Sequence, residues 1–191
     1  MTTIFFDIDT QLDFLYPAGG LYVPGAEKLT RRIAALNHWA AANGHLLVSS
    51  VDAHSENDPE FRLWPPHCVV GTIGQTKPAV TLLESRAVMP HGSTELKDAP
   101  QIIVEKVSTV FLHGDNFQAL LKARRADRYV VYGVVTEICV KDAAFGLLKT
   151  GKPVEIVTDA VEGLDAAAVQ QMYQEFTAAG GSLTTAAKIF G

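Results

Sequence analysis

Three residues whose side chains can work together in hydrolysis stand far apart in the chain: Asp9, Lys106 and Cys139. A cysteine attacks as its thiolate, a carboxylate can take the thiol proton and return it to a leaving amine, and an ammonium steadies both anions. Singly, each has a plainer reading. Cys139 between Ile138 and Val140 has the setting of a buried small hydrophobe, Asp9 suits a turn, and Lys106 suits a solvated strand end. The catalytic reading gains from the three falling at the ends of three different predicted strands. Cys139 is also placed about three positions into a predicted helix capped by Thr136, where free N–H groups and the helix dipole favour an anion. Its thiolate is therefore expected to be accessible near neutral pH, with the N–H groups at Val135 and Cys139 forming an oxyanion hole.

A second constellation is Asp52-Ala53-His54, followed by Glu60 and by His67 within Trp64-Pro65-Pro66-His67-Cys68. In an extended segment residues 52 and 54 point to the same side and can grip one ion. Imidazole with carboxylate suits zinc first, with iron or manganese as alternatives. The other histidines, His38, His45, His91 and His113, read as surface or internally satisfied. One rival is Phe6-Asp7-Ile8-Asp9-Thr10, which imitates the D-x-D start of aspartate-nucleophile phosphatases, with Asp7 attacking phosphorus. It continues Thr10-Gln11 where Gly-Thr is usual, and it leaves Cys139 and the histidines unexplained. A metal-stabilised binding module without turnover is another rival, and a hydrolase of a different small amide is the third.

Positioning these residues falls to βα units, and the expected class is α/β: a three-layer α/β/α domain over residues 1–191 with a mainly parallel sheet of five to six strands. The strands are predicted at Thr3 to Asp9, His45 to Val51, Gln101 to Glu105, Tyr129 to Tyr132, Val154 to Thr158 and Ser182 to Thr185. Helices are predicted over Ala26 to Ala42, from Asp115, from Thr136 and from near Asp165, each with apolar residues at helical spacing. Residues 52–100 read as a long irregular excursion, and such loops in compact domains are usually functional. Ligands in these folds lie at the carboxyl ends of the strands.

Composition narrows the partners. With 48% hydrophobic and 19% charged residues, a formal charge of -5 and no concentrated basic face, the chain is expected to bind neither nucleic acid nor membrane. No leader precedes the first strand, no apolar run spans a membrane, and two cysteines read as free thiols, so a cytoplasmic protein is expected. A small molecule is the expected partner, and a homo-oligomer is compatible with the sequence.

Five stretches together carry a family likeness. Asp9-Thr10-Gln11-Leu12-Asp13-Phe14, Asp52-Ala53-His54, Trp64 to Thr72, Lys106 and Val135-Thr136-Glu137-Ile138-Cys139-Val140 resemble, in order, the motifs of nicotinamidases in the isochorismatase-like cysteine hydrolase superfamily. Gly20 to Gly25 resembles the family's segment between the first strand and helix. The resemblance implies an amide hydrolase that converts nicotinamide to nicotinate and ammonia through a thioester. Cys139 would be the nucleophile, Asp9 the proton shuttle and Lys106 their support. It implies further that Asp52, His54 and His67 hold a divalent metal facing the ring nitrogen, and that Phe14, Trp64 and Val135 line the substrate pocket. A non-proline cis peptide near Val134-Val135 is implied too. Many members place a second histidine after the D-x-H pair. This chain reads Ser55 to Glu60 there, so a carboxylate is the expected additional ligand, with Glu60 preferred over Glu56 and Asp58.

Overall fold

The computed structural model describes residues 2–108 and 114–191. Seven parallel strands form one sheet in the order β3-β4-β2-β1-β5-β6-β7: β1 Thr3–Ile8, β2 Leu46–Asp52, β3 Arg86–Met89, β4 Gln101–Lys106, β5 Arg128–Val134, β6 Val154–Glu162 and β7 Ser182–Thr184. The helices are α1 Leu12–Leu15, α2 Thr30–Ala42, α3 Asp115–Ala123, α4 Lys141–Leu148, α5 Ala166–Ala178 and α6 Ala186–Phe190.

Strand β1 is buried along its whole length, as a central parallel strand covered on both faces must be. Its side chains alternate between two helical layers. Phe5 packs on Trp39 of α2 with ring centroids 5.9 Å apart, and Phe6 packs on Phe117 of α3 at 5.7 Å. Helix α6 joins the α2 layer through Phe190, 6.1 Å from Trp39. From β1 to β2 the chain travels one way across the sheet, and from β4 through β5 to β7 it travels the other. Right-handed crossovers then require helices on opposite faces. The reversal opens a crevice beyond the carboxyl ends of β1 and β5. Gly133 lets those two strands approach there, since a Cβ on it would lie 2.1 Å from the Ile8 carbonyl oxygen at a φ of +120°.

The local signals were right about most elements. Ile33, Leu36 and Ala40 form the buried stripe of α2, and Asp165 caps α5 by accepting from the N–H groups of Ala167 and Ala168 at 2.7 and 3.0 Å. Three details differ. The predicted helix from Ala26 begins as a separate 3₁₀ turn, Ala26–Leu29, before α2. The seventh strand is β3, inside the excursion. It is a four-residue edge strand in which only Met89 is fully buried, so it carries no clean two-residue period. Thr136 is no cap: Val135 holds the N-cap position, a five-residue π-helical turn Thr136–Val140 precedes α4, and the Thr136 hydroxyl is buried without a partner.

Candidate active site

Asp9 follows β1, Asp52 ends β2, Lys106 ends β4, and Cys139 lies in the turn after β5. All four are buried and converge. The Lys106 ammonium lies 2.9 Å from Asp9 Oδ2, contacts Asp52 Oδ1 and reaches to 4.0 Å from Cys139 Sγ. Asp9 is held from the side by Ser50, whose hydroxyl donates to its Oδ1 at 2.6 Å while accepting from its N–H at 3.1 Å. Its φ of +47° is an uncommon backbone conformation for a residue with a side chain, the kind of strain that collects at functional sites.

Electrostatics assign protonation states. Burial pushes the Asp9 carboxyl up, Lys106 opposes it, and Asp52 adds to the rise, so its value stands above the usual aspartate range. Burial also pushes Asp52 up, but Lys106 and hydrogen bonds from His67 and Lys106 outweigh it and bring the value down to about 2. Burial alone would discharge Lys106, yet Asp52, Asp9 and Cys139 hold it well above the ordinary lysine value.

Cys139 corrects an expectation. Burial drives its thiol well above the ordinary value against the pull of Lys106, with Asp9 and Asp52 adding to the rise and a hydrogen bond to Asp9 holding the proton between the two. Desolvation and two neighbouring anions thus oppose the thiolate that one ammonium and a helix end would favour.

Beside Asp52 lies a ligand set. Asp52, His54 and His67 each offer one atom, all within 4.8 Å of one another. His67 Nδ1 lies 2.8 Å from the Pro65 carbonyl oxygen, which fixes it as a protonated nitrogen and turns Nε2 toward Asp52 Oδ2, 3.8 Å away. His54 is fully buried, and its Nε2, 3.9 Å from Asp52 Oδ2, has no hydrogen-bond partner. A buried orphan nitrogen aimed at a carboxylate and a second imidazole fits a divalent cation. Of the alternative carboxylates, Asp58 lies 3.1 Å from His54 Nδ1, the ring nitrogen other than the one nearest Asp52, within ion-pair range but outside hydrogen-bond geometry. Glu56 is exposed. Glu60 lines the adjoining pocket, but its carboxylate is not part of the three-residue cluster.

That pocket connects the two sets. Phe14, Trp64, Val135 and Ile138 line it together with Asp52, Glu60, His67 and Cys139. This slot encloses about 370 Å³ counting its mouth, with mainly apolar walls. The Phe14 ring lies 5.3 Å from that of His67. The Val134-Val135 peptide is cis, as the resemblance implied.

Residues 3–188 match the family described as "Isochorismatase domain". The chain belongs to that family. It is 29% identical to the nicotinamidase/pyrazinamidase of Mycobacterium tuberculosis over 86% of this chain and 91% of that one. It is 25% identical to the nicotinamidase of Escherichia coli over 94% and 93%. The structure of the pyrazinamidase of Pyrococcus horikoshii in complex with zinc superposes with a TM-score of 0.82 at 26% identity, covering 97% of this chain and 99% of that one.

The phosphatase reading of Asp7 does not survive. Asp7 is fully buried in a separate network: its oxygens accept from Thr10 at 2.6 Å, Asn37 at 3.0 Å and Ser49 at 3.3 Å, and pair with Lys77 at 3.1 Å. Among the remaining histidines, His38 contacts the Val80 carbonyl and His45 stacks on Phe5, while His113 and Phe111 lie outside the described residues. The sequence reading missed Gln11 and Asp13. The Gln11 amide donates to the carbonyls of Asp52 and Gln75 and accepts from the Asp52 N–H at 2.7 Å. Asp13 accepts from the N–H groups of Gly20 and Cys68 at 2.9 and 2.6 Å. Both stand in the motif after β1, but their partners lie in loops that no local pattern announces.

Proposed function

We propose that this amide hydrolase converts nicotinamide to nicotinate and ammonia, through a thioester on Cys139. The reading is carried by one observation: a buried cysteine, gathered with an aspartate and a lysine behind it, lines one slot together with Asp52 and His67 of a three-residue ligand cluster. Apolar walls suit a flat ring, and the names of the relatives point to pyridine and pyrazine carboxamides.

In the first half-reaction Asp9 takes the thiol proton as sulfur attacks the carboxamide carbon, so no free thiolate is required at rest. Lys106 stays charged throughout and balances the two carboxylates and the developing sulfur anion. Asp9 then returns the proton to the departing ammonia. Water attacks the thioester, Asp9 again accepts a proton, and nicotinate leaves as the thiol re-forms. The backbone N–H groups at Val135 and Cys139 are the donors proposed for the oxyanion. Asp52, His54 and His67 would hold the divalent ion, zinc in the first instance, with Glu60 at the pocket wall beside them. That ion supplies a positive docking point for the ring nitrogen.

The test is ammonia release from a panel of small amides that includes nicotinamide and pyrazinamide, with metal analysis of the same sample. Release from nicotinamide, lost in Cys139→Ala, is expected. Turnover of other amides with none of nicotinamide would move the substrate while keeping the chemistry.

A further inference from the structure

The wall of the slot includes Leu164, an apolar residue that remains 45% exposed. It belongs to no strand or helix: residues 163–165 link β6 to α5. An exposed leucine on a linker is ordinarily a poor wall, because little restrains it. Here the restraint comes from the catalytic turn itself. Glu137, two residues before Cys139, does not line the pocket, and its Oε1 accepts from the N–H groups of both Leu164 and Asp165 at 2.8 and 2.9 Å. Charge-assisted bonds of this kind are roughly twice as strong as neutral ones. Gly163 makes the approach feasible. A Cβ there would lie 2.4 Å from both Glu137 Oε2 and Val169 Cγ2, so any side chain would push the linker off the carboxylate. One residue of the C-terminal half is thereby tied to the turn that carries the thiol.

We propose that Glu137 is a positioning residue that fixes Leu164 as an apolar wall of the substrate slot, and that this wall contributes to holding the ring rather than to bond making. This rests on the slot being the site of amide hydrolysis. The hydrogen bonds of the carboxylate go to the linker N–H groups rather than to the thiol or the ligand cluster, so its effect on turnover passes through Leu164. Because a single oxygen accepts both bonds, a glutamine can keep them and an alanine cannot.

The experiment compares wild type with Glu137→Ala, Glu137→Gln, Leu164→Ala and the Glu137→Ala/Leu164→Ala pair, by steady-state kinetics on the amide turned over best and by hydrogen exchange at the amides of Leu164 and Asp165. Glu137→Ala and Leu164→Ala are each expected to raise KM about tenfold with kcat within about twofold, the range seen when an apolar pocket contact is lost. The pair should cost scarcely more than either alone, since both remove one wall. Exchange should quicken in Glu137→Ala and stay slow in Glu137→Gln, which should also restore KM. A fall in kcat with KM unchanged, additive effects, or unchanged exchange in Glu137→Ala would overturn the proposal. If wild type hydrolyses no amide, the proposed reaction fails and takes the wall's role in binding with it. Normal turnover with unchanged KM in both single variants sinks the wall alone.

Discussion

Two buried lysines sit in this fold, each between oxygens, and they illustrate opposite uses of the same chemistry. Lys77 pairs with Asp7 and donates to Thr10 at 2.5 Å, and Asp7 is in turn served by Asn37 and Ser49. Asn37 passes the chain of bonds on by accepting from the Tyr132 hydroxyl at 2.7 Å. Around Lys106 the count does not close. Its two carboxylates share one ammonium, the thiol of Cys139 leans on Asp9, and His54 Nε2 nearby has no partner at all. The first network is satisfied and locks the loop after β1 to the excursion. The second is left short of partners where it faces a slot, and groups left short of partners are the ones with capacity for a substrate and an ion.

The comparison is most exposed at the sulfur atoms. Cys139→Ala is expected to lower kcat by roughly 10⁴-fold or more, as loss of a nucleophile does, read by ammonia release. Residual turnover within tenfold of wild type would remove the second network from the chemistry.

Lys77→Met tests the other side. Leaving Asp7 buried and unpaired should cost roughly 3–5 kcal/mol of stability in denaturant unfolding, with kcat of the folded enzyme close to wild type. A variant as stable as wild type but inactive would mean that the satisfied network is catalytic after all.

Asp58→Ala should weaken metal affinity about 10–100-fold in a chelator competition, because it removes the carboxylate paired with His54 Nδ1 without removing a ligand. Complete loss of binding would make Asp58 a ligand in its own right.

Acidity gives a finer probe. Asp9 must be ionised to accept the thiol proton, and its value is raised, so kcat/KM should fall as pH drops through a limb above the ordinary aspartate value of about 3.9. Lys106 is raised as well, and it should keep its charge through neutral pH and cause no loss there. A profile flat down to that ordinary value would take the proton shuttle away from Asp9.

The smallest effect is expected at Cys68, which adjoins the ligand His67 but is fully buried, with a thiol raised first by burial and then by Asp52 and Asp13. Cys68→Ala should keep most of the activity in the same assay.

Periodicity and composition by themselves determined the βα alternation, the buried stripe of α2, the start of a helix near Asp165 and the strand ends near which Asp9, Lys106 and Cys139 stand, because each is a property of neighbours along the chain. The motifs also marked Asp52, His54 and His67 in order. Local pattern failed where partners are distant. It put a cap at Thr136 where a π-helical turn stands, and it weighed the helix end at Cys139 without the burial that pushes its thiol up. It separated the carboxylates of the excursion by spacing, whereas folding sets Asp58 against His54 Nδ1 and Glu60 in the pocket wall. Only the packed structure tied Glu137 to Leu164 and Gln11 to Asp52, because hydrogen bonds and buried charges are settled by what folds against them, and sequence distance carries no record of that.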